Sequence, residues 1–381
     1  MNTKQTMGLL LKRVRAELMA FIRGNFIYSK SASSAAPALT PGRKPRIEFV
    51  DLAKGICILM VVAFHSPRVD IDLPGVAAMR MPLYFILSGL FFKNYGGMRQ
   101  LAEKKINKII IPFLFFIILD IAFQAIGHGR FDWHQFLYPA TDGQHLHNIP
   151  VWFLCSLFFA NLIFCGITLM FRSKRAVAIA VGAVGGGGLI LTSTHTYLPF
   201  YITQALNGLP FFYLGYILRS TPILVANKFD RFNLPICAFL LLAAAGICIA
   251  VGDTPRLDFF QNHFNGHPLL FYPVALIMVA ALLMLCKAIK WLPIVSYIGR
   301  YSIVVLGLHQ LLLFQLRWAK VPFTEHKLMG WSLFGAVVAI CWIAIPFMTK
   351  LLPGFTAQTD WFRLPTISSF AHKFKHLPRT E

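Results

Sequence analysis

The sequence predicts an all-α fold: a polytopic membrane bundle of about ten transmembrane helices with both termini on the cytoplasmic side. Three observations carry this. Hydrophobic residues make up 57 % of the 381 residues and charged residues only 13 %, against about 25 % charged in a typical soluble domain. Mean hydropathy is +0.63, which excludes a disordered chain. The net charge is +21, from 36 Lys and Arg against 15 Asp and Glu. A nucleic-acid-binding protein would match that charge but could not hide 36 Phe, so no nucleic-acid partner is expected. Basic residues gathered in the loops of one side of a lipid bilayer explain both properties.

Three regions follow along the chain. Residues 1–46 form a basic cytoplasmic tail and linker. This tail has nine Lys and Arg against Glu17 alone, a basic amphipathic stretch at 7–28 suited to anionic lipid, and a Ser-, Ala- and Pro-rich stretch at 29–45. Its longest apolar run, Met7–Leu11, is too short for a secretory signal. Residues 47–350 form the transmembrane domain, and residues 351–381 a cytoplasmic C-terminal tail. A span needs about 20 mostly apolar residues. Ten segments qualify: 48–67, 76–92, 109–127, 149–171, 176–192, 199–218, 234–252, 269–286, 293–316 and 328–349. With the N-terminus inside, 27 of the 36 basic residues fall in inner segments and six in outer loops, the asymmetry expected of a membrane protein. The first segment is the least apolar, because its start carries Glu48, Asp51 and Lys54. No internal repeat is visible.

The seven cysteines all lie in apolar runs without a CxxC pair and read as packing residues. No metal site is expected. His145 and His147 lie one residue apart in an outer loop, but no ligand context accompanies them. Gly185–Gly188 lies inside a span without the Lys of a phosphate loop and suits close helix packing.

Ionisable residues inside spans are costly and therefore informative. Lys54 and His65 are eleven residues apart. That is about 20° beyond three turns and about 16 Å along a helix axis, so both lie on one face of the first span, with Asp51 on the same side. This stripe serves equally as a positive-inside anchor ending in a structural histidine, or as an acid, a base and a deep imidazole arranged for chemistry. Lys105 and Lys108, three apart where the third span opens, suit a polyphosphate ligand or simply stop transfer. Arg80 lies at the outer end of the second span. Trp152, at the outer mouth of the fourth, reads most simply as an interfacial belt residue. Asp120, near mid-span, requires a partner, for which a Lys or Arg of a neighbouring span is the expectation. His309 faces the bundle interior.

Six segments, in order, then resemble a known family. They are VDLAKGICILMVVAFH, LYFILSGLFF, Lys105 and Lys108 followed by Pro112, VWFLCSLF, LPFFYLGY and SYIGRYSIVVLGLH. The chain is similar to the acyltransferase-3 family of integral-membrane O-acyltransferases over about residues 46–312, and within it to the branch that acetylates sugars and modifies exopolysaccharides, which includes cellulose-associated transacylases. It departs in carrying Lys54, Lys105 and Lys108 where the family often has Arg, which keeps charge but loses bidentate geometry.

The resemblance implies a bacterial inner-membrane enzyme with no bound cofactor. It would transfer an acyl group, acetyl in the simplest case, from cytoplasmic acyl-CoA as co-substrate to a carbohydrate hydroxyl, with a polysaccharide synthase or a periplasmic protein as conceivable partners. His65 would be the catalytic base or acyl carrier, with Asp51 orienting or neutralising Lys54. Lys54, Lys105 and Lys108 would bind the donor. Arg80 and Trp152 would contact the acceptor or the oxyanion, and Asp120 and His309 would support the site. Two other readings stay open: a proton-coupled transporter or flippase for a sugar or acylated lipid, and a non-catalytic scaffold of a synthase complex.

Overall fold

The computed structural model describes residues 47–69, 71, 74–141, 145–221, 227–266, 268–318 and 327–364; the amphipathic stretch expected at 7–28 lies outside them. The described chain is a helical bundle. Its helices are α1 (Glu48–His65), α2 (Val76–Leu90), α3 (Met98–Lys105), α4 (Ile111–His128), α5 (Trp152–Met170), α6 (Lys174–Ser193), α7 (Ile202–Leu218), α8 (Asn233–Val251), α9 (Pro268–Ile289), α10 (Pro293–Arg300), α11 (Ser302–Trp318) and α12 (Lys327–Leu351). All ten predicted segments are helical. Six continuous helices are long and apolar enough to cross a bilayer on their own.

The predicted ninth span is not straight. It breaks at Tyr301 into α10 and α11, which meet at 91°, and counts as a seventh span if taken together. The remaining three segments are shorter: α1 has 18 residues and three charges, α2 has 15 residues and α7 has 17. These three lie inside the bundle, each with about half of its residues buried. A helix surrounded by protein need not match the full apolar thickness that lipid imposes.

Close backbone contact holds these inner helices. A Cβ on Gly55 would lie 2.0 Å from the Val295 carbonyl oxygen, and one on Gly299 would lie 1.9 Å from the Asp51 carbonyl oxygen. Only glycine lets α1 and α10 touch at both places. Gly89 and Gly215 do the same for α2 and α7. Around these contacts six phenylalanines, Phe85, Phe116, Phe164, Phe211, Phe212 and Phe271, are fully buried.

The end of the bundle bearing Lys54 is the one the charge asymmetry assigns to the cytoplasm and is called the inner end below. Two features at the bundle's ends differ from the sequence reading. At the outer end, residues read only as a loop form an antiparallel hairpin, β1 (Arg256–Asp258) with β2 (His263–Asn265), in which Leu257 faces Phe264. At the inner end, residues 352–364 fold back onto the start of the third span. Asn107, only 1 % exposed, accepts from the backbone N–H of Trp361 and Phe362 at 3.0 and 2.9 Å and donates to the Phe362 carbonyl at 2.8 Å. Phe355 packs on Phe115 with ring centroids 5.2 Å apart.

The α1–α10 contact predicts that Gly299→Val lowers stability by about 1–3 kcal/mol or more, the usual cost of forcing atoms into a packed core. The check is the Tm in detergent. Gly246→Ala, where an added Cβ meets nothing within 4 Å, should leave Tm unchanged.

Candidate active site

Helix α1 runs unbroken from Glu48 to His65, so the Lys54–His65 stripe keeps its geometry: two chemistries on one face, about 16 Å apart along the axis. At the inner end Asp51, 5 % exposed, lies between two cations. Its carboxylate is 3.6 Å from Lys54 Nζ and 3.9 Å from Arg300 Nε. A buried carboxylate needs such compensation. Asp51 thus sits with Lys54 and not beside His65, which limits it to orienting and neutralising the lysine. The Lys54 ammonium also lies 6.0 Å from the centroid of the Phe91 ring, and Tyr84 Oη donates to the Lys54 carbonyl at 3.1 Å.

At the other end of the stripe, His65 opens onto a cavity of about 340 Å³. Arg80 and Trp152 line it together with Arg256, Asp258 and Gln261 from the hairpin. The Arg80 guanidinium rests 4.0 Å from the centroid of Phe64. Trp152 is 5 % exposed and lies nearly parallel to Phe259, at 17° and 6.3 Å. It is therefore a wall of the cavity and not a belt residue at the lipid surface, because the hairpin covers it.

His309 lies behind His65, with ring centroids 5.4 Å apart. It is wholly buried, and its Nδ1 is 2.8 Å from the Val305 carbonyl oxygen. A carbonyl can only accept, so Nδ1 carries the proton and Nε2 presents a lone pair. That Nε2 is buried with no hydrogen-bond partner among the described residues. A buried acceptor left open costs stability, and this one lies behind His65 and outside the cavity lining.

Two expected pairings and one expected straight span are corrected. Asp120, 1 % exposed, is not matched by a Lys or Arg of a neighbouring span. Its partners are His147, folded in from the outer loop at 2.8 Å, and Gln124 at 2.8 Å. This also commits one histidine of the 145/147 pair, and among the described residues no three metal-binding side chains converge. Next, Lys105 and Lys108 do not act as a pair. Residues Ile106–Ile110 form a π-turn. Lys104 and Lys108, four apart and so on one face of the helix, meet one carboxylate, Asp360. Lys108 Nζ lies 2.9 Å from Asp360 Oδ1 and donates to the Ala357 carbonyl at 2.7 Å, while Lys104 bonds the other carboxylate oxygen. Lys105, half-buried, has no ion-pair or hydrogen-bond partner among the described residues. Finally, the ninth span is broken, and the break is what delivers Arg300 to Asp51.

The sequence reading missed Asp360, Arg300 as a partner of Asp51, and the hairpin residues of the outer cavity. A signal existed for two of them. Asp360 is the one acid between Lys327 and Thr380, and Arg256-Leu-Asp-Phe alternates polar and apolar residues as a strand does.

A helical membrane bundle with a histidine lining an outer cavity, a second imidazole behind it, and cations at the opposite end of the same helix fits a membrane-embedded group-transfer enzyme. Residues 47–357 match the family model described as acyltransferase domain. The chain belongs to the acyltransferase-3 family and is a multi-pass membrane O-acyltransferase. No curated protein matches the chain.

The Asp360 clasp makes a pH prediction. Burial works against the charged form of Asp360, but the hydrogen bonds from Lys104 and Lys108 outweigh it and hold the carboxyl below its ordinary value. A lowered folded-state pKa means that the clasp contributes fully above about pH 4, the value of a free Asp, and is lost as pH falls through the lower value of the docked state. The protection factors of the Trp361 and Phe362 amides, exchange rates taken relative to the intrinsic rate at each pH, should be high at pH 7 and fall on acidification, and Asp360→Asn should lower them at pH 7.

Proposed function

We propose that the enzyme transfers an acetyl group from cytoplasmic acetyl-CoA to a hydroxyl of a carbohydrate, such as an exopolysaccharide, cellulose or a lipid-linked sugar, on the outer side of a bacterial cytoplasmic membrane. The observation that carries this reading is the outer cavity. It has His65 at its floor, an aromatic wall in Trp152 and Phe259, and polar groups in Arg80, Arg256, Asp258 and Gln261. The apolar C–H face of a sugar ring packs on an aromatic face, whose quadrupole is negative, while its hydroxyls need convergent polar partners.

His65 acts as general base. It takes the proton of the acceptor hydroxyl while that oxygen attacks the thioester carbonyl. The C–S bond breaks, an ester forms, and the proton passes to the leaving CoA thiolate. In the two-step variant, a nitrogen of His65 attacks the thioester first and the hydroxyl then takes the acyl group from the imidazole. Either route needs His65 neutral at the start, and the uncharged His309 ring behind it, 5.4 Å away between centroids, adds no acidic partner that would favour its protonation. Arg80 stabilises the oxyanion. Asp120 supports the outer wall through His147.

Lys54 and Lys105 serve the donor's phosphates at the inner end. A phosphate reaching Lys108 displaces Asp360. The donor's pantetheine arm then covers the distance along α1 to His65. A polysaccharide synthase, or a periplasmic protein receiving the acyl group, is the partner such a reaction calls for. A proton-coupled carrier has less support, since such folds pair two broken helices in matched halves, and the described residues contain one bent pair.

His65→Ala, in membranes with normal protein levels, should lower acyl transfer to carbohydrate by about 10²–10⁴-fold. A near wild-type rate would remove His65 from the chemistry. Lys105→Ala should raise the KM for the donor with little effect on kcat, measured with acetyl-CoA as the varied substrate.

A further inference from the structure

We propose that a second cavity, between the inner ends of α5, α6 and α7, holds the phosphate-bearing nucleotide end of the donor; the inference rests on acyl-CoA being that donor. The cavity has a volume of about 520 Å³, within the range of ordinary ligand sites. Arg172, Lys174 and Arg219 line it, with Tyr213 and Tyr216, and no Asp or Glu does. None of the three cations has a carboxylate partner among the described residues. Several other inner-end cations are paired. Lys54 and Arg300 share Asp51, Lys104 and Lys108 share Asp360, and Lys287 lies 3.5 Å from Asp230. Three water-exposed cations facing one acid-free cavity give it a positive field that favours a polyanion over a neutral ligand.

The cavity is built and not merely basic. Arg219 Nη1 donates to the Phe92 carbonyl at 2.7 Å, which holds the guanidinium in place. Tyr213 Oη donates to the Lys174 carbonyl at 3.3 Å and ties α7 to the start of α6. Lys174 is the first residue of α6, capped by Ser173, whose hydroxyl accepts from the Ala176 N–H at 3.0 Å. The positive end of that helix adds to the attraction for phosphate. Two tyrosine rings beside three cations suit a flat heterocycle that carries phosphates better than a phosphate alone.

The cavity also lies where the donor would begin its path. Arg219 bonds the carbonyl of Phe92, and the Tyr216 ring lies 6.1 Å from the Phe92 ring. The neighbouring residue, Phe91, is the one against which the Lys54 ammonium rests. The cavity and the start of the Lys54–His65 stripe thus both adjoin the Phe91–Phe92 end of α2.

An anionic lipid headgroup shares the phosphate chemistry, and the test separates the two. The full-length protein is placed in nanodiscs of phosphatidylcholine, with or without phosphatidylglycerol, and the Kd of acetyl-CoA and of dephospho-CoA is measured together with the KM for acetyl-CoA. The variant is Arg172→Ala with Lys174→Ala, which leaves the Arg219–Phe92 bond intact. The proposal expects Kd and KM for acetyl-CoA to rise at least tenfold in both lipids, with the effect on KM rather than kcat. It expects a smaller rise for dephospho-CoA, and recovery when Lys174→Arg replaces the double variant. A Kd within twofold of wild type overturns the proposal, as does a variant that loses only a response to phosphatidylglycerol, the result of a lipid site. A wild-type protein that binds no acetyl-CoA overturns the donor reading itself and this inference with it, whereas a binding wild type with an unchanged variant overturns the cavity alone.

Discussion

The contact between α1 and α10 holds the inner half of the one helix that carries both Lys54 and His65. Gly55 and Gly299 bring the two backbones together, and at that contact Asp51 lies between Lys54 and Arg300. Each part depends on the other. The glycines allow the approach, and the approach delivers Arg300 to a buried carboxylate that a single partly exposed lysine would compensate poorly. With its inner half held in this way, α1 acts as a rigid spacer. The chemistry at its outer end is then set at a constant distance from the charges at its inner end.

The bend at Tyr301 is the second consequence of that contact. Because α10 lies along the inner half of α1, the chain must turn by 91° before α11 can cross outward. That turn brings His309 behind His65. The inner charge cluster and the outer imidazole pair are thus products of one packing arrangement, although they lie at opposite ends of α1. The hairpin then covers the imidazoles with Trp152 and Phe259, which makes the outer end a cavity and not an open groove.

Much of this was legible in the sequence, for a definite reason. Inside a bilayer every backbone group must be satisfied by the chain itself, so hydropathy locates helices well, and all ten segments are helical. The Lys54–His65 relation was legible too, because an unbroken helix has a fixed angle per residue. The pairing of Lys108 was not legible, because helix spacing allows both Lys104 and Lys105 as its neighbour and Asp360 selects Lys104. Contacts between distant parts of the chain left no periodic mark: Asp360 meets Lys104 across 256 positions, and His147 reaches Asp120 from an outer loop. The break at Tyr301 was hidden in a segment whose composition alone was long and apolar enough for a straight span.

The central claim is that donor and acceptor are used from opposite faces of the membrane, joined by the fixed length of α1. Sealed membrane vesicles of known orientation test this most directly, with radiolabelled acetyl-CoA supplied to one face and a carbohydrate acceptor confined to the other. The account predicts label on the acceptor when the donor meets the face bearing Lys54 and the acceptor the face bearing His65, and none in the reverse arrangement. Transfer that proceeds only when both substrates share one face would contradict it.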